Sequence, residues 1–239
     1  MQRRQLLAWT GVVCASGLSG CVDVGQVRDV AAAVVGGSGA LSESTVAAGL
    51  REALQVGSQR ASGTLSKTGG FSNNSLLRIV VPDDLNKVAK LMRTFGFGSY
   101  VDELELAMNR SAERAVGEAV PVFWDAISAM SISDAFNILR GPTDAATRYF
   151  EDRTSATLRT KFQPVVQLGM REVGLYQKYA ELTDKYNRIP LTKPVAPSLE
   201  GYITDAALGG LFTVLAQEEA RIRKDPIART SDLLRTVFA

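Results

Sequence analysis

The stretch Leu199-Glu-Gly-Tyr-Ile-Thr-Asp-Ala-Ala-Leu-Gly-Gly-Leu-Phe-Thr-Val-Leu-Ala-Gln-Glu-Glu-Ala-Arg-Ile-Arg223 decides the fold. Its middle, Ala206 to Ala216, is apolar almost all round, and a helix with no polar face has to be buried on every side. Ser198 is placed to cap its start, and three prolines between Ile189 and Pro197 mark the preceding segment as a loop. The stretch therefore predicts an all-α domain, a single bundle around this C-terminal helix. Gly209-Gly210 offers it a place for close helix–helix contact.

Helical punctuation continues upstream. Ser42 or Ser44 can cap a helix carrying Val46, Leu50, Ala53, Leu54, Ala61 and Leu65 at helical spacing, and Gly69-Gly70 breaks the chain after it. Leu76 to Val81 is the one β-like run. It is too short and isolated for a sheet and reads as an extended connector or a small hairpin arm. Asp83 or Asp84 caps the next helix, which Gly96 and Gly98 end. Tyr100 to Met130 reads as one long helix kinked or split by Pro121. Ser133-Asp134 starts a short helix that stops at Gly141-Pro142, and Thr143-Asp144 starts another that runs past Phe150. Pro164 is expected near the start of a further helix reaching about Tyr186. Beyond Arg223, Thr230 or Ser231 caps a last short helix with Leu233, Leu234, Val237 and Phe238.

At the other end, Arg3 and Arg4 precede a mostly apolar run from Leu6 to Leu18, and Leu18-Ser19-Gly20-Cys21 follows. This is the layout of a secretory signal peptide, and its ending on cysteine resembles a bacterial lipoprotein signal. The reading makes residues 1–20 a signal peptide, 21–40 a lipidated flexible tether and 41–239 the helical domain. Cys21 is the expected lipidation site, carrying diacylglycerol and a further acyl chain of the palmitate kind. Each buried methylene contributes about 0.8 kcal/mol, so such an anchor holds firmly. Val22 in place of Asp after the cysteine favours the outer membrane, with the protein facing the periplasm. The tether, rich in Gly, Ala, Val and Ser, spans about 25 Å on average. Arg3-Arg4-Gln5-Leu6-Leu7 also fits a twin-arginine signal, but the Sec route is the simpler reading.

Composition narrows the chemistry. Of 27 Lys and Arg, removing Arg3 and Arg4 leaves 25, against 25 Asp and Glu. A mature chain with no net charge has no basic field for nucleic acid, which is not an expected partner. The chain has no histidine, and Cys14 leaves with the signal. The commonest general base, the commonest metal ligand and any disulfide are thereby lost. No metal and no cofactor is expected, and there is no P-loop or dinucleotide-binding glycine pattern.

Three polar constellations stand out. Glu105, Asn109 and Glu113 form an i, i+4, i+8 stripe beside the apolar face of Leu104, Met108, Ala112, Ala115 and Ala119, with Arg110 and Arg114 pointing away. Such a stripe is either a buried hydrogen-bond network or the wall of a site. Asp144, Thr147 and Arg148 read as a capped helix start with a local ion pair. The densest cluster joins Glu218, Glu219, Arg221, Arg223, Asp225 and Arg229, with Glu218 spaced to pair with Arg221 and Glu219 with Arg223. It reads as a structural clamp; the rival is an anion or carboxylate site using the arginine forks.

A resemblance rests on strings that occur in order: Met108-Asn-Arg-Ser-Ala-Glu113, Ser133-Asp-Ala-Phe-Asn-Ile-Leu-Arg-Gly141, Asp144-Ala-Ala-Thr-Arg-Tyr-Phe150, Gly209-Gly-Leu-Phe212 and Glu218-Glu-Ala-Arg-Ile-Arg-Lys-Asp-Pro226. Together they resemble the bacterial domain-of-unknown-function family 4197 from about Leu41 to Ala239. One departure is Gly209, where an acidic or polar residue is expected. The resemblance implies an exported helical protein with a lipoprotein-type signal, and no activity.

Three functions fit these residues. The first is a non-enzymatic envelope lipoprotein, structural or binding an envelope partner. The second is a helical pocket for a small amphiphile or anion, with Asn109, Glu113 and the C-terminal arginines as polar contacts. The third is a carboxylate-based envelope hydrolase using Glu113, Glu218 or Glu219, for which no catalytic residue is assigned because ion pairing lowers the pKa a catalytic acid needs raised.

Overall fold

The computed structural model describes residues 42–172, 174, 176, 177, 179–181, 184, 199–225 and 235. Among them are seven helices and no strand: α1 (Glu43–Leu65), α2 (Asp83–Thr94), α3 (Gly98–Val116), α4 (Ala119–Ser128), α5 (Ile132–Arg140), α6 (Ala145–Glu172) and α7 (Leu199–Lys224). The fold is all-α. Residues 41–239 form one compact unit. Cys21, Ser198, Arg229 and, apart from residue 235, the expected last helix lie outside the described residues.

Helix α7 is the axis, packed on α1, α3 and α6. Ile203, Ala207 and Leu211 are fully enclosed. Phe212 lies edge-on to Phe123, which in turn stacks obliquely on Phe150 with centroids 4.8 Å apart. This aromatic cluster joins α4, α6 and α7. The stripe Leu104, Met108, Ala112 and Ala115 on α3, with Ala119 opening α4, is fully buried as its spacing requires.

Local signals account for most boundaries, with corrections. The Ser42 side chain accepts the Thr45 amide and caps α1. Pro82, not an aspartate, stands at the N-cap of α2, with no side-chain cap. Gly96 ends α2 at φ 82° in a Schellman turn, its amide bonding the Arg93 carbonyl and the Phe97 amide the Met92 carbonyl. Pro121 splits the expected long helix. It lacks the donor for Gly117 and clashes with that carbonyl, so the ladder breaks at Gly117-Glu118 and restarts with Pro121 in the first turn of α4. The cap of α5 is Ser131 rather than Ser133, in a reciprocal capping box with Asp134. These bonds hold the Asp134 carboxyl below its ordinary pKa.

Two expectations fail for reasons of packing. Pro164 does not begin a helix but lies inside α6, which runs unbroken to Glu172. Thr160 and Pro164 are both exposed, so solvent can take the carbonyl that loses its bond. Gly174, at φ 65°, follows the helix end. Nor does Gly209-Gly210 admit a neighbouring helix. Gly209 faces open space, whereas a Cβ on Gly210 would stand 2.6 Å from the ring of Phe71, in the loop after α1. The close approach is loop to helix.

Candidate functional site

The polar stripe of α3 is turned inward, onto the segment between α1 and α2. Glu113 Oε1 accepts the backbone amides of Gly69 (3.1 Å), Phe71 (3.2 Å) and Ser72 (3.4 Å) and the Ser72 hydroxyl. Its other oxygen takes Arg110 at 2.6 Å. Arg110 therefore does not point away; it neutralises the buried carboxylate three residues on. Asn109 pairs with Ile79 as a strand neighbour would, accepting its amide at 2.9 Å and donating to its carbonyl at 2.7 Å. Glu105 accepts the Val81 amide and Arg78 at 2.9 Å. A β-like segment with no strand partner would bury bare backbone, and α3 supplies the missing partners from side chains. Arg114 reaches Glu172 of α6.

The second network sits where α5, α6 and α7 meet. Glu219 of α7 accepts the Ala146 amide (3.0 Å), the Thr147 amide (2.9 Å) and the Thr147 hydroxyl (2.9 Å). A carboxylate from one helix thus caps the N-terminus of another, where backbone donors and dipole both favour negative charge. Arg223 binds Glu219 through two nitrogens, at 3.1 and 2.9 Å. The same guanidinium donates to the carbonyls of Ile138 and Leu139, at the end of α5. One ion pair therefore satisfies the exposed backbone of two helix termini at once.

The remaining cluster residues separate. Glu218 and Arg221 pair at 2.6 Å on the outside of α7, and the Asp225 amide bonds the Arg221 carbonyl. Asn109 and Glu113 belong to one network and Glu219 and Arg223 to another, so the candidate residues do not converge on a single centre. Asp144 and Arg148 form the expected surface pair. Thr147 was read with them but turns inward to Glu219. No local pattern signals that contact, because its partner is 72 residues away.

Every buried carboxylate among the described residues, Glu105, Glu113 and Glu219, is held by several donors. No group of three or more acidic, histidine or cysteine side chains among those residues could hold a metal ion. Beside Glu219 and Arg223 lies an apolar cavity of about 20 Å³, lined by Leu50, Leu54, Gly57, Phe150 and Ile222. A water-sized space of this kind has no room for a small organic ligand. A wider surface groove of about 290 Å³ runs past Ser72, Arg78, Leu106 and Arg110. No single helix among the described residues is long and apolar enough to cross a membrane.

No curated protein and no solved structure matches the chain. A family model described as "Protein of unknown function (DUF4197)" matches residues 40–239, which include both networks and all seven helices. The chain is a member of the DUF4197 family.

Proposed function

We propose that this is a lipid-anchored envelope protein, held through Cys21 at the periplasmic face of the outer membrane, with a non-enzymatic structural or partner-binding role. The observation that carries the non-enzymatic part is the saturation of Glu105, Glu113 and Glu219. A catalytic acid needs access to substrate, whereas each of these carboxylates is buried among hydrogen-bond donors and paired with an arginine. The anchor rests on the Leu18-Ser-Gly-Cys21 ending of the signal. Labelling with a radioactive or clickable fatty acid tests it: Cys21→Ser is expected to abolish acylation, and unchanged labelling refutes the anchor. Native pull-down from membranes, with mass spectrometry of co-purifying proteins and small molecules, identifies the partner.

A second reading, a site for a small anion, is favoured by the groove between Arg78 and Arg110. Each guanidinium makes an ion pair with a glutamate and still has further N–H donors. Calorimetric titration with phosphate and with small dicarboxylates tests it. Binding that Arg78→Ala and Arg110→Ala both weaken supports this reading.

A further inference from the structure

We propose that the groove between α3 and the loop leading to α2 binds an extended acidic peptide whose two carboxylates stand about 12 Å apart, in the order acid, spacer, apolar residue, spacer, acid. The inference rests on the anion-site reading above and deepens it by naming the class of ligand.

Ser72, Asn73, Arg78, Leu106 and Arg110 line this one groove of about 290 Å³. Its two cations are fixed in place. Arg78 donates to Glu105 at 2.9 Å and Arg110 to Glu113 at 2.6 Å. The glutamate side chains are 8% and 4% exposed, those of Arg78 and Arg110 49% and 32%. Each guanidinium therefore rests one edge on a buried carboxylate and keeps further N–H donors for the groove. Side chains already held this way lose little rotamer freedom when a ligand binds. The acid that lines the groove, Asp102, is matched by Arg93 at 2.7 Å. Asn109 in the wall is saturated by backbone groups of Ile79 and Glu105.

Spacing and chemistry name the occupant. Glu105 and Glu113 are eight residues apart on α3, about 12 Å along the axis, and each holds its arginine at its own end of the groove. A small anion fills one end. An extended chain rises about 3.3 Å per residue, so acidic side chains at i and i+4 reach both. Leu106, 48% exposed, lies between the two ends, one residue after Glu105 and four before Arg110. Residue i+2 of an extended peptide faces the same side as i and i+4, so an apolar residue there covers Leu106. The Ser72 hydroxyl and the Asn73 carboxamide on the loop wall suit the amides of a peptide backbone, and an alkyl dicarboxylate would leave them unpaired. Two cations separated by an apolar side chain do not form the continuous basic track that a polyphosphate backbone needs.

The purified full chain is titrated calorimetrically at low salt with the peptide acetyl-Glu-Ala-Leu-Ala-Glu-amide, whose only charges are its two carboxylates. Replacing either of its acids by glutamine is expected to weaken binding about tenfold. The isomer acetyl-Glu-Ala-Glu-Ala-Leu-amide, with carboxylates only about 7 Å apart, should lose a similar factor. On the protein, Arg78→Ala is expected to weaken the first peptide about tenfold. Leu106 is exposed and pairs with no buried carboxylate, so Leu106→Glu tests the groove without disturbing the fold. It should also weaken binding about tenfold, by like charge and lost apolar contact, with the circular dichroism spectrum and urea midpoint unchanged. Equal affinity for the two isomers overturns the proposal, and so does peptide binding that Leu106→Glu leaves unchanged. Inorganic phosphate and glutarate separate this inference from the reading beneath it. If they bind, Arg78→Ala weakens them and the peptide binds no more tightly, the anion site stands and the peptide ligand falls. If neither they nor the peptide bind, both fall.

Discussion

Replacing Glu219 by alanine removes the acceptor for five hydrogen bonds of 2.9 to 3.1 Å, two from the first turn of α6, one from Thr147 and two from Arg223. The Glu219 side chain is 7% exposed and that of Arg223 15%, so water cannot replace what is lost. Breaking a buried pair on one side costs about 3–5 kcal/mol, because the surviving charge stays behind unmatched. The freed amides of Ala146 and Thr147 place the variant at the upper end of that range. For a domain of this size, each kcal/mol lowers the melting temperature by roughly 2–4 °C, which at about 5 kcal/mol predicts a fall of about 10–20 °C. Arg223→Ala leaves Glu219 its α6 donors but strips the carbonyls of Ile138 and Leu139, and about 3 kcal/mol is expected. The assay is urea unfolding followed at 222 nm for both single variants and the double. Because the pair acts as a unit, the double should cost about 1–3 kcal/mol less than the sum of the singles. Single variants each within about 1 kcal/mol of the parent would refute the clamp. Stable singles that lose function in the cell would instead make this corner a binding site for an anion.

Three further outcomes test the remaining geometry. Gly210→Ala should cost about 1–3 kcal/mol because its methyl meets the Phe71 ring, while Gly209→Ala, facing open space, should stabilise by up to about 1 kcal/mol; urea midpoints in the opposite order would contradict the loop-to-helix contact. Glu113→Ala should destabilise by about 3 kcal/mol and speed amide hydrogen exchange at Gly69, Phe71 and Ser72 at least tenfold, and unchanged exchange there would mean the loop is held by other groups. The Tyr176 phenol is pushed up to about 12, first by burial and then by its bond to Glu200. The fold therefore favours the protonated phenol, and its contribution is complete below pH 10 and lost as pH rises through 12. An ultraviolet titration should show a late phenolic step that Tyr176→Phe removes.

The helices themselves were legible. Caps, glycine stops and the 3.6-residue apolar stripes come from interactions within a turn or two, which the order of residues determines directly. The burial of Leu104, Met108 and Ala112 and the pairing of Glu219 with Arg223 follow from spacing on one helix. The misplaced start at Pro164 shows the limit: a proline ends a helix only when nothing satisfies the carbonyl it frees, and exposure is not a property of sequence. Gly209 and Gly210 look equivalent in the chain. Only the passage of Phe71 over one of them makes it indispensable.

The two polar networks mark the same boundary. From the residues alone, Glu105, Asn109 and Glu113 are a stripe beside a core seam, equally suited to lining a site or to an internal network. Tertiary structure decides for the network by laying residues 69–81 along α3, where unpaired backbone must find partners. Thr147 reads locally as a member of a surface ion-pair turn until α7 brings Glu219 to the start of α6. A carboxylate's role depends on which donors surround it once it is out of water, and those donors come from segments far apart in the chain. Sequence alone determined which residues could form helices and which of their faces were apolar. Only the packing of those faces decided which charges were buried and what they hold.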